Sequence, residues 1–169
     1  MTSGLTVRLL GQPALEFDGA PWHLALPPRY WTLLALLSLG PRGAVHKRSA
    51  IAAALWPEDL KEEARAQLRR HLHRLTHALP PCGDTPWLNL ANQCAGWNDA
   101  APVWIDVVAF SEAAANPQRY SEAVDYYRGD LLEGSYDECL FAHRERLRAT
   151  YLDMCRGAAL SARLSRKAC

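Results

Sequence analysis

The sequence predicts an α+β protein in which a small antiparallel sheet, three helices and a hairpin are followed by helices only. Strand-like segments occur in residues 5–24 and 87–105, and proline or glycine bounds the helical segments between them. After residue 105 only helical patterns remain. A hydrophobic fraction of 49% and a charged fraction of 22% are typical of globular proteins and argue against disorder. The formal charge of +1 excludes a uniformly basic protein but permits a local basic surface.

The N-terminal sheet is predicted from three short segments. Residues 6–9 alternate in part, residues 14–17 follow, and Asp18-Gly19 predicts a turn before residues 22–24.

The three helices are predicted from their stop signals. The first runs from the Pro27-Pro28 pair to residue 39, the second over about 47–56, and the third over about 60–79. Each is followed by proline or Gly-Pro. Asp59, with Glu62 three residues later, is the predicted N-cap of the third helix.

A hairpin is predicted after the third helix, because residues 87–90 and 95–97 flank Asn92-Gln93. Residues 103–105 form a further extended segment. Helices are then predicted over 106–115, 118–128 and 137–154, with a final piece to about 165. We therefore predict two domains, residues 1–105 and 106–169.

The third predicted helix carries a one-sided pattern of charge. Apolar residues at four-, four-, three- and four-residue spacing form one narrow stripe that predicts packing on the first two helices. Between Ala64 and Leu79 the segment has four arginines, three histidines and no acid. The stripe consists of Ala64, Leu68, Leu72, Leu75 and Leu79. The opposite side presents Arg70, His73, Arg74 and His77, with Gln67 and Arg69 on the flanks.

Such a helix face matches double-stranded DNA, whose backbone presents about one phosphate charge per 1.7 Å. Arginine can also pair with guanine, and glutamine with adenine, in the major groove. The alternative is a solvated surface, although solvated helix faces usually mix both signs of charge. Composition alone leaves these two interpretations about equal.

Several motifs resemble those of SARP-family bacterial transcriptional activators. Residues 55–59 (LWPED), 63–69 (EARAQLR) and 72–75 (LHRL) resemble the family's OmpR/PhoB-type winged helix. Residues 104–107 (WIDV) resemble the start of its second domain. Residues 127–134 (YRGDLLEG) and 144–148 (RERLR) resemble that second domain, the TPR-like bacterial transcriptional activator domain.

The resemblance implies a function and partners. Members of that family place the third helix in the major groove of promoter DNA and the hairpin wing near the minor groove. They bind direct repeats as dimers and recruit RNA polymerase. On this basis Arg74 is the best candidate for reading a base. Further contacts to bases or phosphates are expected from Arg69, Arg70, His73, His77, Gln67 and Arg65, and a phosphate contact from Lys47 and Arg48 at the start of the second helix. The hairpin tip, residues 91–94, has no Lys or Arg, which predicts a weak minor-groove contact.

Other function classes are less well supported. His73 and His77 could share a zinc or nickel ion with Cys82 nearby, but no further ligand has suitable spacing, so no metal or other cofactor is expected. Common nucleotide, zinc-protease and serine-hydrolase motifs are absent, which argues against an enzyme. Five cysteines without a CxxC pair, and no secretory signal or membrane-spanning run, predict a cytoplasmic protein.

The second hypothesis is a protein-interaction adaptor that does not bind DNA. In that case the winged helix and the C-terminal helices would dock a partner protein. The residues that could line its groove are Tyr126, Tyr127, Tyr136 and Phe141.

Overall fold

A computed structural model describes residues 4–167, with the helical backbone alone described for residues 158–167, so that residues 1–3, 168 and Cys169 lie outside the described part. Its α+β class agrees with the prediction. The strands are β1 (Leu5–Arg8), β2 (Ala14–Phe17), β3 (Ala20–Trp22), β4 (Val45–Lys47), β5 (Leu88–Asn89), β6 (Cys94–Trp97) and β7 (Val103–Ile105). The helices are α1 (Arg29–Ser38), α2 (Arg48–Leu55), α3 (Lys61–Ala78), α4 (Asp106–Ala114), α5 (Tyr120–Tyr126) and α6 (Phe141–Lys167), with 3₁₀ turns at Pro117–Arg119 and Glu138–Leu140.

The first sheet has the strand order β3-β2-β1-β7. Asp18 and Gly19, with φ of 51° and 79°, form the predicted turn between β2 and β3. The third strand begins at Ala20, two residues before its predicted start. β7 pairs in parallel with β1, and Leu5 lies opposite Val103. The sequence predicted β7 only as an extended segment, since a parallel partner so distant in the chain leaves no local pattern.

The second sheet has the order β4-β6-β5 and contains the predicted hairpin. Its turn is formed by Asn92 and Gln93, with φ of 54° and 59°. The sequence did not predict β4, which pairs with β6. Gly96 permits this pairing, because a Cβ there would lie 2.3 Å from the Ala44 carbonyl oxygen.

Helix α3 buries the predicted apolar stripe: Leu68, Leu72 and Leu75 are each at most 2% exposed. This stripe packs in one core with α1 and α2. The predicted N-cap is wrong. Leu60 is the capping residue, with extended backbone and no side-chain hydrogen bond. Asp59 instead accepts a hydrogen bond from the Gln67 side chain, on the second turn of α3.

The segment after residue 105 packs against the first sheet. The buried Asp106 carboxylate accepts hydrogen bonds at 2.9 Å from the main-chain N–H groups of Leu9 and Leu10. Burial raises the pKa of Asp106, and the two N–H donors oppose that rise. Gly11 donates at 2.9 Å to the Asp130 carbonyl oxygen, beside an antiparallel bridge between Leu10 and Leu131. The division of the chain near residue 105 stays a prediction.

The C-terminal helices differ in detail from their predicted bounds. The predicted helix 118–128 is a 3₁₀ turn followed by the short α5, and the last two predicted helices are one continuous helix, α6. Among residues 4–167, no helix is both long enough and apolar enough to cross a membrane.

Candidate nucleic-acid interface

The outer face of α3 is a surface of unpaired positive charge. Arg69, Arg70 and Arg74 are exposed. Within the described part of the chain, none of the three donates a side-chain hydrogen bond or forms an ion pair. The helix offers them no acid beyond its first turn, where Glu62 and Glu63 lie. We call Arg69, Arg70 and Arg74 the arginine surface.

The start of α3 is partly neutralised by its own acids. Arg65 forms an ion pair with Glu62 at 3.0 Å, and both side chains are more than half exposed, at 52% and 85%. Gln67 is half-buried and donates to Asp59. Exposed pairs of this kind contribute at most about 1 kcal/mol, so a strongly anionic ligand can compete for Arg65.

The histidines of α3 divide between the surface and the core. His73 and His77 are exposed neighbours, with ring centroids 4.3 Å apart and a 2.8 Å hydrogen bond between His77 Nδ1 and the His73 carbonyl oxygen. His71 packs inward instead, stacked on Tyr30 at 4.7 Å and edge-on to Trp56 at 4.8 Å. In the described part of the chain, no three His, Cys, Asp or Glu side chains are grouped to hold a metal ion.

A groove of about 740 Å³ adjoins the arginine surface. It is bounded by the start of α2, the first half of α3 and the tip of the hairpin. Lys47, Arg65 and Arg69 line it, and Glu62 is the one acid among the described lining residues. The groove therefore joins the cationic helix to the hairpin in one continuous basic surface.

Arg48, the first residue of α2, connects this helix to the hairpin through hydrogen bonds. Its main-chain N–H donates to the Gln93 carbonyl oxygen at 2.9 Å, and its Nε donates to that of Cys94 at 3.0 Å. A second guanidinium nitrogen donates to the carbonyl oxygen of Leu90. These bonds direct the Arg48 guanidinium to the hairpin. Arg48 lines the groove together with Lys47, which is exposed and makes no such bonds to the hairpin.

Sequence reasoning missed the part of the groove that depends on β4. Pairing of β4 with β6 places Lys47 opposite Cys94, and so brings a cation to a hairpin whose tip has none. Asn92 and Gln93 add exposed polar side chains to the same wall. Gly96 was the available signal, because glycine inside a strand often marks close approach of another backbone.

The aromatic residues considered for protein docking separate into two groups. Tyr127 is packed between Phe110 and Tyr151, with ring centroids at 5.3 Å and 4.4 Å. Tyr126 packs on Trp104 at 5.6 Å. Tyr136 and Phe141, in contrast, are 95% and 65% exposed.

The fold is similar to that of Mycobacterium tuberculosis EmbR, solved in complex with a low-affinity phosphopeptide. The TM-score is 0.64 at 22% sequence identity, and the match covers 92% of this chain. It covers 44% of the EmbR chain, so this chain spans less than half the length of that protein. No family model matches the sequence. No curated protein matches it either.

Proposed function

We propose that this protein is a sequence-specific regulator of transcription that inserts α3 into the major groove of promoter DNA. The single observation that carries the proposal is the arginine surface, three exposed guanidinium groups without a partner among the side chains of residues 4–157 or the described backbone. Because duplex DNA presents a dense row of phosphates and a major groove wide enough for a helix, it is the ligand that best matches this surface.

The spacing of the arginines supports a division of roles. Arg70 and Arg74 are four residues apart, about one turn and 6 Å along the helix axis, so both point from the same face. Arg74 is proposed to read a base and Arg70 to contact a base or a phosphate. Arg69 and Lys47 line the groove beside the hairpin, where we assign them to the phosphate backbone.

The remaining candidate residues have lesser proposed roles. His73 and His77 are exposed beside the arginine surface and are assigned to phosphates, to which an imidazole N–H can donate a hydrogen bond. Arg65 and Gln67 reach DNA only by giving up Glu62 and Asp59. Arg48 is assigned to holding the hairpin rather than to DNA.

The wider proposal follows the sequence resemblance. We infer a non-enzymatic cytoplasmic activator that binds as a homodimer and contacts RNA polymerase. A second candidate function, the protein-interaction adaptor, is favoured by one observation, the exposure of Tyr136 and Phe141. Exposed aromatic side chains of this size are enriched at protein interfaces.

Salt dependence of duplex binding separates the two functions. Fluorescence polarisation with a labelled mixed-sequence duplex, titrated at about 50 mM and about 200 mM salt, gives the number of phosphate contacts from a slope of about −0.9 per contact. The DNA proposal predicts a slope of about −3 or steeper, from Arg69, Arg70 and Lys47 and any further contacts. An adaptor that does not bind DNA gives no saturable signal at either salt concentration.

A further inference from the structure

A cavity lies between the first sheet region and the C-terminal helices, away from the DNA-binding groove. Its volume is about 130 Å³, and it is formed by the end of α1, the segment between β6 and β7, and one side of α4. Cavities at such junctions are common sites for small ligands. Its lining residues include Ser38, Trp97, Trp104, Ala109, Glu112 and Tyr126.

The volume limits the size of an occupant. An apolar cavity of about 150 Å³ in another protein admits one benzene molecule. The cavity in this chain, at about 130 Å³, therefore suits a molecule built on a single ring. It is too small to enclose a nucleotide or a peptide segment.

The wall of the cavity combines aromatic rings with polar and charged side chains. The rings of Trp104 and Tyr126 meet edge to face, with centroids 5.6 Å apart. The Trp97 indole N–H donates to Ser38 Oγ at 2.9 Å, and Ser38 donates in turn to the Leu34 carbonyl oxygen at 2.7 Å. An occupant therefore meets aromatic rings together with charged side chains, and aromatic rings attract cations through their negative faces. The Arg8 guanidinium already lies over the Trp104 ring, 5.6 Å from its centroid.

The charges around the cavity also favour a cation as the occupant. Arg42 is paired with Asp99 at 2.9 Å, and Arg119 is paired with Glu122 at 2.7 Å. Glu112 forms no hydrogen bond or ion pair with the side chains of residues 4–157, but, after the larger effect of Glu122, its charge helps to raise the pKa of Arg119. Three carboxylates, those of Asp99, Glu112 and Glu122, thus oppose two guanidinium groups, and the excess charge is negative.

We propose that this cavity binds a compact organic cation, an ammonium group carried on one ring. The ring packs against Trp104 and Tyr126, and the ammonium group lies at Glu112. This site does not depend on the proposed DNA-binding function, because it shares no lining residue with the basic groove.

Three single-ring probes of similar size but different charge test the proposal at neutral pH: benzylamine, benzyl alcohol and benzoate. Binding to the full chain is followed by tryptophan fluorescence and calorimetry. We expect benzylamine to bind most tightly and benzoate most weakly. Glu112→Gln lowers benzylamine affinity about three- to fivefold, as expected for a partly exposed charge pair, and leaves benzyl alcohol unchanged. Glu63→Gln, a matched exposed carboxylate outside the cavity lining, changes neither.

A second variant tests the location. Ala109→Leu places additional methyl groups in the cavity, and we expect it to abolish binding of benzylamine and benzyl alcohol alike. Circular dichroism checks that this variant is folded; if it is not, the comparison of Glu112→Gln with Glu63→Gln decides. The proposal is overturned if benzylamine shows no saturable binding, if benzoate binds equally well, or if Glu112→Gln and Glu63→Gln have the same effect.

Discussion

Helices α3 and α6 are both rich in arginine, but they use it in opposite ways. On α6, Arg148 bonds to Asp130, and Arg144 donates to the Leu131 carbonyl oxygen at 2.7 Å. On α3, the arginine surface has no such partners among the described residues. The count of basic residues therefore does not distinguish a structural helix from a binding helix. The difference is whether acidic side chains or carbonyl oxygens lie close enough to accept hydrogen bonds from the arginines.

The largest expected effect is on DNA binding, from removal of the whole arginine surface. The triple variant Arg69→Ala, Arg70→Ala and Arg74→Ala should lower duplex affinity at least about 100-fold, because the proposed function assigns each side chain to a phosphate or a base. Its free energy of unfolding should change by no more than about 0.5 kcal/mol, since these exposed groups hold nothing in the fold. Polarisation titration and urea unfolding measure the two quantities.

Arg146→Ala is the matched control for the triple variant. Arg146 is exposed on α6, and, like those of the arginine surface, its guanidinium forms no hydrogen bond or ion pair with the side chains of residues 4–157. We expect its DNA affinity to equal that of the unaltered protein. Equal losses in both variants would show that general charge, and not α3, attracts the duplex.

The next prediction tests whether Arg74 of α3 contacts a base or a phosphate of the DNA backbone. Arg74→Ala should weaken binding to a duplex selected from a random-sequence pool by about 1–3 kcal/mol. It should also relax preference at one base position, which repeated selection with the variant measures. A uniform loss on every sequence would assign Arg74 to a phosphate instead.

Removal of the acid that pairs with Arg148 of α6 should lower stability and leave DNA binding unchanged. Asp130 accepts a hydrogen bond from the Tyr127 hydroxyl at 2.8 Å as well as from Arg148. Asp130→Ala should therefore lower the free energy of unfolding by about 1–2 kcal/mol, measured by urea unfolding, with duplex affinity unchanged. Loss of DNA affinity in a folded Asp130→Ala protein would contradict the assignment of α6 to structure.

The same pair predicts a dependence of stability on pH. Arg148, followed by Tyr127, holds the pKa of the Asp130 carboxyl below its ordinary value of 3.8. A carboxyl with a lowered folded-state pKa stabilises the fold above the unfolded value, and this contribution disappears as pH falls through the folded-state value. Urea unfolding between about pH 6 and about pH 3 should show a smaller acid-induced loss in Asp130→Ala than in the unaltered protein.

The smallest effect concerns the histidines of α3. If His73 and His77 contact phosphates, the double variant His73→Ala and His77→Ala should lower duplex affinity about two- to fivefold at constant pH, because two imidazole N–H donors are lost. Polarisation titration measures this loss. An unchanged affinity would place both rings away from the duplex.

Local patterns were enough to predict much of the fold. The apolar stripe of α3, the turn at Asp18-Gly19 and the hairpin at Asn92-Gln93 are confirmed because each depends on neighbouring residues. The parallel pairing of β7 with β1 and the pairing of β4 with β6 depend on distant segments, and local sequence carries little trace of them.

The candidate site was predictable to a similar degree. Exposure of the arginine surface followed from helical periodicity alone. The partners of Gln67 and Arg48 did not, because each bonds to a segment that only the folded chain brings near. The N-cap prediction at Asp59 failed for the same reason, since that carboxylate bonds to Gln67 instead.

The most direct test of the central claim maps the DNA contact on the folded protein. Backbone amide chemical shifts of the isotopically labelled chain are measured as a mixed-sequence duplex is added at low salt. We predict that the largest chemical-shift changes occur in α3 around Arg69, Arg70 and Arg74 and at Lys47 beside the hairpin. The chemical shifts of the α6 amides should not change. Shifts confined to α6, or to the surface around Tyr136 and Phe141, would contradict the account.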